Sequence, residues 1–120
     1  MTDILLKRAY SDPEASDGFR ILVDRLWPRG QSKDKLKLDL WAKSITPSPD
    51  LRKAWHHDPD RFDEFAEHYL QELNQNPAVD EFLEVLSEHP KVTFVYGAKD
   101  EHINHAVILR DYLLDQLSGH

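Results

Sequence analysis

The chain contains no cysteine. That absence excludes disulfides, thiolate nucleophiles and thiolate-bound metals at once. No apolar run approaches the ~18 residues of a membrane span, and no basic-then-apolar signal segment opens the chain. These absences predict a soluble, cytoplasmic protein with no membrane partner. Glycine is scarce, with four residues, and no Gly-rich phosphate loop, Gly-x-Ser-x-Gly elbow or His-Glu-x-x-His helix is present. No resident cofactor is expected.

The 120 residues suit one domain, 1–120, able to bury roughly two-thirds of its unfolded surface. The net charge of −7 is unevenly placed. Residues 1–43 carry nine Lys/Arg and seven Asp/Glu, leaving +2, whereas residues 44–120 carry six and fifteen, leaving −9. The acidic half argues against nucleic acid as a partner, since that role needs a basic face. Oligomeric state is not legible.

The basic residues gather around one stretch, Leu22-Val23-Asp24-Arg25-Leu26-Trp27-Pro28-Arg29-Gly30. Phe19 to Val23 is a short apolar run of the buried-strand kind. Pro28 cannot donate to a sheet ladder, so the strand ends before it. Gly30 permits the left-handed backbone of a sharp exit. One carboxylate, two guanidiniums and an indole are thereby held at the mouth of a strand.

Along the chain, residues 3–8 read as a first strand, its three consecutive apolar residues suiting burial on both faces of a parallel sheet. Asp12-Pro13 and Asp17-Gly18 mark turns or caps in residues 9–18. That connection is either a short crossover, making the first two strands parallel, or a long hairpin loop; the crossover is favoured. Ser32 caps a short helix over 33–37, and 38–43 reads as extended. Ser48-Pro49, Asp58-Pro59 and Asn76-Pro77 each set a capping side chain before a proline at the first helical position. They predict helices over 49–56, 59–74 and 77–88. Leu51, Ala54 and Trp55 share a face of the first. Phe62, Phe65, Ala66, Tyr69 and Leu73 form a clear stripe on the second. Val79, Phe82, Leu83 and Leu86 do so on the third. Residues 91–97 are the best strand, and Asp100 would cap a last helix over 101–117.

The strings Lys7-Arg8-x-Tyr10, Asp17-Gly18-x-Arg20 and Val23-Asp24-Arg25-Leu26-Trp27-Pro28-Arg29-Gly30 resemble a known family. So do Pro47-Ser48, Leu51-Arg52, His57-Asp58-Pro59 and Tyr96-x-Ala98-Lys99-Asp100 followed by Asn104-His105-Ala106. The resemblance is to the YeaO-like branch of domain-of-unknown-function family 488, and it spans nearly the whole chain. It implies a small α/β fold and no established biochemical role. Longer relatives in the wider family carry Cys-His-Arg after the late strand. The similar position here reads Asn104-His105-Ala106, so their thiol chemistry does not carry over.

The fold class read from the chain is α/β, a mostly parallel sheet of three or four strands flanked by helices. In such sheets ligands bind beyond the carboxyl ends of the strands. Two motif-bearing loops leave such ends, Asp24 to Gly30 and Gly97 to His105. If their strands are parallel neighbours, the loops face each other. The candidate ligand-binding residues are Arg8, Arg25, Trp27, Arg29, Gly30, Tyr96, Lys99 and Asn104. Arg25, Arg29 and Lys99 would hold a small anion, because guanidiniums grip carboxylate or phosphate bidentately. Asp24 and His105 are the candidate acid and base. The competing reading is an internal ion-pair network, with Trp27 and Pro28 plugging the core. His102 and His105 stand at metal-sharing spacing, but no third ligand is evident and no metal site is expected. His56-His57 is explained by a favourable helix C-terminus. The expected function is binding of a small anionic metabolite, with turnover left open. The alternative is a non-catalytic protein-interaction or regulatory module.

Overall fold

The computed structural model describes residues 2–56 and 58–119. His57 and the role suggested for it lie outside the described residues. Four strands form one all-parallel sheet: β1 (Asp3–Arg8), β2 (Phe19–Leu22), β3 (Leu40–Trp41) and β4 (Lys91–Tyr96), in the order β1-β4-β2-β3. The predicted α/β architecture is therefore correct. The first two strands are parallel, as read, but β4 lies between them.

Register follows from the two-residue period of a strand. Ile4 and Phe19 flank Val92, and Leu6 and Ile21 flank Phe94. Those residues, with Val23 and Tyr96, form one face of the sheet. That face packs on α2 (Pro49–Trp55), α3 (Phe62–Asn74), α4 (Ala78–Ser87) and α5 (His105–Leu117). Trp55, Phe65, Tyr69, Leu73, Val79, Phe82, Leu86, Ala106, Leu109 and Leu113 are the buried helical side of this core. The predicted stripes are thus inward, except that Ala54 is exposed. The opposite face carries a smaller layer. Leu22 and Val95 pack there with Ala9, Trp27, Leu38, Trp41 and Leu36 of α1 (Lys33–Leu36).

The β1–β2 connection contains one 3-10 turn, Ala15–Asp17. It is held to this second face by Asp17. The Asp17 carboxylate accepts from Lys7 Nζ at 3.0 Å and Arg20 Nη1 at 2.7 Å, and its backbone carbonyl accepts from Thr93 Oγ1 at 2.7 Å. Burial opposes the charge on Asp17. The Glu14 N–H and the Lys7 and Arg20 cations outweigh it and hold the carboxyl below the ordinary carboxylate range. Gly18 follows at φ +68°, and a Cβ there would collide with the Lys91 carbonyl, so glycine is required.

The caps follow the sequence signals. Ser32 accepts from Lys35 N, Ser48 from Leu51 N, Asp58 from Asp60 N and Asn76 from Ala78 N. Two helix starts differ from expectation. Residues 59–61 form a 3-10 turn before α3, and the last helix begins at His105 rather than 101. The reason for the second is chemical. Asp100 accepts from His102 N and Ile103 N, closing a turn of its own, and Asn104 then caps α5 by accepting from Val107 N at 3.0 Å. Among the described residues no helix is long and apolar enough to cross a membrane.

Candidate functional site

β2 and β4 run side by side in parallel, so the loops after them leave the same edge of the sheet. Asp24 follows β2 and Gly97 follows β4. Gly97 N donates to Asp24 Oδ2 at 2.7 Å, joining the two loops. A Cβ on residue 97 would stand 3.0 Å from that oxygen, which explains a glycine there. The indole of Trp41 donates to the Asp24 carbonyl at 2.7 Å. The backbone of Asp24 is thereby fixed from β3 and its side chain from β4.

His105 is the first residue of α5, and the helix start carries its ring to the end of β2. Its Nε2 lies 2.8 Å from the Val23 carbonyl and 3.1 Å from Asp24 Oδ1. A carbonyl oxygen only accepts, so Nε2 carries a proton and donates. That proton is directed to Val23, and Asp24 Oδ1 is left buried with no hydrogen bond. The close approach to His105 is an electrostatic contact. Arg25 Nε is likewise buried with no hydrogen-bond partner.

These groups share one cavity of about 240 Å³, lined by Asp24, Arg25, Leu26, Pro47, Arg52, Trp55, Phe65, Gly97, Ala98 and His105. Its walls are of two kinds. Pro47, Trp55, Phe65, Leu26 and Ala98 are apolar, with Trp55 stacked on Phe65 at a ring separation of 4.1 Å. Asp24, Arg25, Arg52 and His105 are polar.

Of the residues singled out from the sequence, Asp24, Arg25 and His105 converge here. The others stand elsewhere. Trp27 packs edge-on against Trp41 at 5.2 Å on the other face of the sheet, and its Nε1 donates to the Gln31 carbonyl. Arg29 is exposed, and its carbonyl accepts from Tyr10. Gly30 has φ +79°, the turn geometry expected of it. Lys99 is exposed over a neighbouring hollow with Pro59, Asp100 and Ile103. Arg8 and Tyr96 line a separate cavity along β1 and α5, and Arg8 Nε donates to the Ala98 carbonyl at 3.0 Å. Burial, and next Glu101, raise the Tyr96 phenol above its ordinary range. Asn104 is fully buried. Its side chain caps α5 and donates to the Asp100 carbonyl.

Arg52 was missed. Its signal was its place on α2, three residues before Trp55, on the side that faces the core. Pro47, Trp55 and Phe65 were read as fold residues alone. Nothing local in the sequence says that their edges also face a cavity.

A protein-family model described as the inactive DUF488-N3 subclade matches residues 3–120. The chain belongs to this family. It is 47% identical over 111 residues to the uncharacterised protein YeaO of Escherichia coli, covering 92% of this chain and 96% of that one. It is 40% identical over 112 residues to the uncharacterised protein Rv3073c of Mycobacterium tuberculosis, covering 93% and 94%. Mb3100c of Mycobacterium bovis, also uncharacterised, matches to the same extent. No solved structure matches the chain significantly.

Proposed function

We propose that the chain is a non-catalytic binding protein for a small anionic metabolite, held in the cavity beyond β2 and β4. The observation that carries this reading is that two arginines, Arg25 and Arg52, line the same cavity. Neither guanidinium has a carboxylate partner among the described residues. Two arginines without carboxylate partners in a partly apolar cleft favour an anion, because guanidiniums grip carboxylate or phosphate by charge-assisted bonds. The cavity volume, below the roughly 300–1,000 Å³ of drug-sized sites, suits a small ligand.

Binding without turnover is supported by what the lining lacks. It has no hydroxyl, thiol or amine side chain. Asn104 occupies the position like that of the relatives' cysteine, and its side chain is committed to capping. The family's description as inactive agrees. The cations expected to converge were Arg25, Arg29 and Lys99; the proposed pair is Arg25 and Arg52.

Thermal melts with and without inorganic phosphate or a small carboxylate test this. Wild type should be stabilised by at least one of them, and Arg25→Ala and Arg52→Ala should lose the shift. No shift in the wild type with any small anion would overturn the reading.

A further inference from the structure

β1 is an outer strand of the sheet, with β4 on one side and, among the described residues, no strand on the other. Asp3 N donates to the Pro90 carbonyl and Ala9 N to the Tyr96 carbonyl. Successive residues of a strand turn their N–H and C=O groups to opposite sides, so Leu5 and Lys7 also face β4. Ile4 and Leu6 therefore present theirs outward, and no described loop or helix takes them. Ile4 to Arg8 line one hollow of about 620 Å³ with Val107 and Arg110 of α5. Neighbouring strand side chains point to opposite faces, so a hollow that touches five in a row runs along the edge itself. Proline and bulges, the usual guards of an open edge, are absent here: the β4 register is unbroken from Asp3 to Arg8. Leu5 stands 43% exposed at its middle.

We infer that this edge pairs with the same edge of a second copy of the chain, antiparallel about a two-fold axis at Leu5, joining the two sheets into one. A two-fold axis sets β1 antiparallel to itself. Opposed residues must then both face outward or both inward, which leaves few registers. With the axis at Leu5, Ile4 and Leu6 of the partner subunit exchange both N–H···O bonds. Leu5 meets the partner's Leu5, and Asp3 meets the partner's Lys7. Moving the axis to Ile4 sets Asp3 against the partner's Leu5. Moving it to Leu6 sets Ile4 against the partner's Arg8. The Leu5 axis alone matches apolar with apolar and acid with base. Lys7 Nζ already meets Glu14 and Asp17, at 2.7 and 3.0 Å, and its ammonium keeps a third proton for Asp3. This order of acid, apolar centre and base within one strand favours a second copy over an unrelated extended peptide.

Sedimentation equilibrium of the wild type, from micromolar to sub-millimolar concentration, should give twice the mass of one chain. Leu5→Lys sets two ammonium groups face to face and should yield a folded monomer. Asp3→Lys should weaken the dimer several-fold, since like charges directly opposed are destabilising. The chain has no cysteine, so one introduced thiol reports the register. Leu5→Cys should oxidise to a covalent dimer, because directly opposed residues of this kind stand about 4.5 Å apart at Cα, within disulfide reach. Leu6→Cys should not, because its twin lies beyond the limit of about 7 Å. A monomeric wild type throughout the range overturns the inference. So does a dimer that survives in folded Leu5→Lys, or bridging of Leu6→Cys as fast as Leu5→Cys. If Leu5→Lys does not fold, the two cysteine variants decide.

Discussion

Asp24 Oδ2 accepts the backbone N–H of Gly97 at 2.7 Å. One side chain thus locks the ends of two neighbouring parallel strands and keeps its second oxygen buried beside His105. A methyl group at residue 97 would press on the carboxylate, its Cβ 3.0 Å from Oδ2, so Asp24 would have to give by a few tenths of an ångström. Gly97→Ala should therefore displace Asp24 and lower stability by about 1–2 kcal/mol, as overpacking does. It should also weaken binding of small anions in the cavity. Urea melts and calorimetry check both effects. Wild-type stability together with wild-type affinity would show that the loops yield freely.

Arg52 and Arg29 make a matched comparison. Arg52 lines the cavity, while Arg29 is exposed beyond it. Arg52→Ala should raise the dissociation constant of the bound anion by roughly ten- to hundred-fold, the equivalent of one charge-assisted bond. Arg29→Ala should change stability by less than about 0.5 kcal/mol, as at ordinary surface positions, and leave affinity unchanged. Titrations of the two variants showing the reverse order would move the site towards the Pro28–Gly30 turn.

Asp17 predicts an acid limb of stability. Its carboxyl is held below the ordinary value of 3.8. A group depressed in the folded state contributes stability above its unfolded pKa and loses it as pH falls through the folded one. The stability gap between wild type and Asp17→Asn should be full at neutral pH and should close at acid pH, below 3.8. Denaturant melts across pH 2.5–7 measure it. A gap constant over that range would mean that Asp17 acts through shape rather than charge.

Phe65 is 2% exposed, stacks on Trp55 at 4.1 Å and lies near Tyr69 at 6.0 Å. Phe65→Ala should cost about 3–5 kcal/mol, the usual loss for a buried aromatic. It should also enlarge the cavity floor. A denaturant midpoint near that of the wild type would show that α3 repacks around the gap.

The sequence carried the local half of the site. The change from apolar strand to Asp24 and Arg25, and the helix start at Asn104-His105, are short-range signals with short-range causes: hydrogen-bond donors, acceptors and backbone freedom. That is why the strands, the caps at Ser32, Ser48 and Asn76, and the α3 stripe are where the residues indicate. The start of α5 was misread because Asp100 and Asn104 are both good caps, and only the packed turn assigns each its own N–H groups.

Which charges meet is a different matter, because side chains on one loop diverge within two residues. Trp27 and Arg25 come from the same strand end, yet Trp27 joins Trp41 on one face while Arg25 enters the cavity. Arg52 and Phe65 arrive from separate helices, brought in by burial of the α2 and α3 stripes against β2 and β4. The sequence by itself determined the elements, their caps and the polar groups at the strand ends, through local propensity and hydrophobic period. The partners of Asp24 and the meeting of Arg25 and Arg52 at one cavity were decided by the tertiary structure alone, because they depend on strand order and helix packing across more than twenty residues of chain.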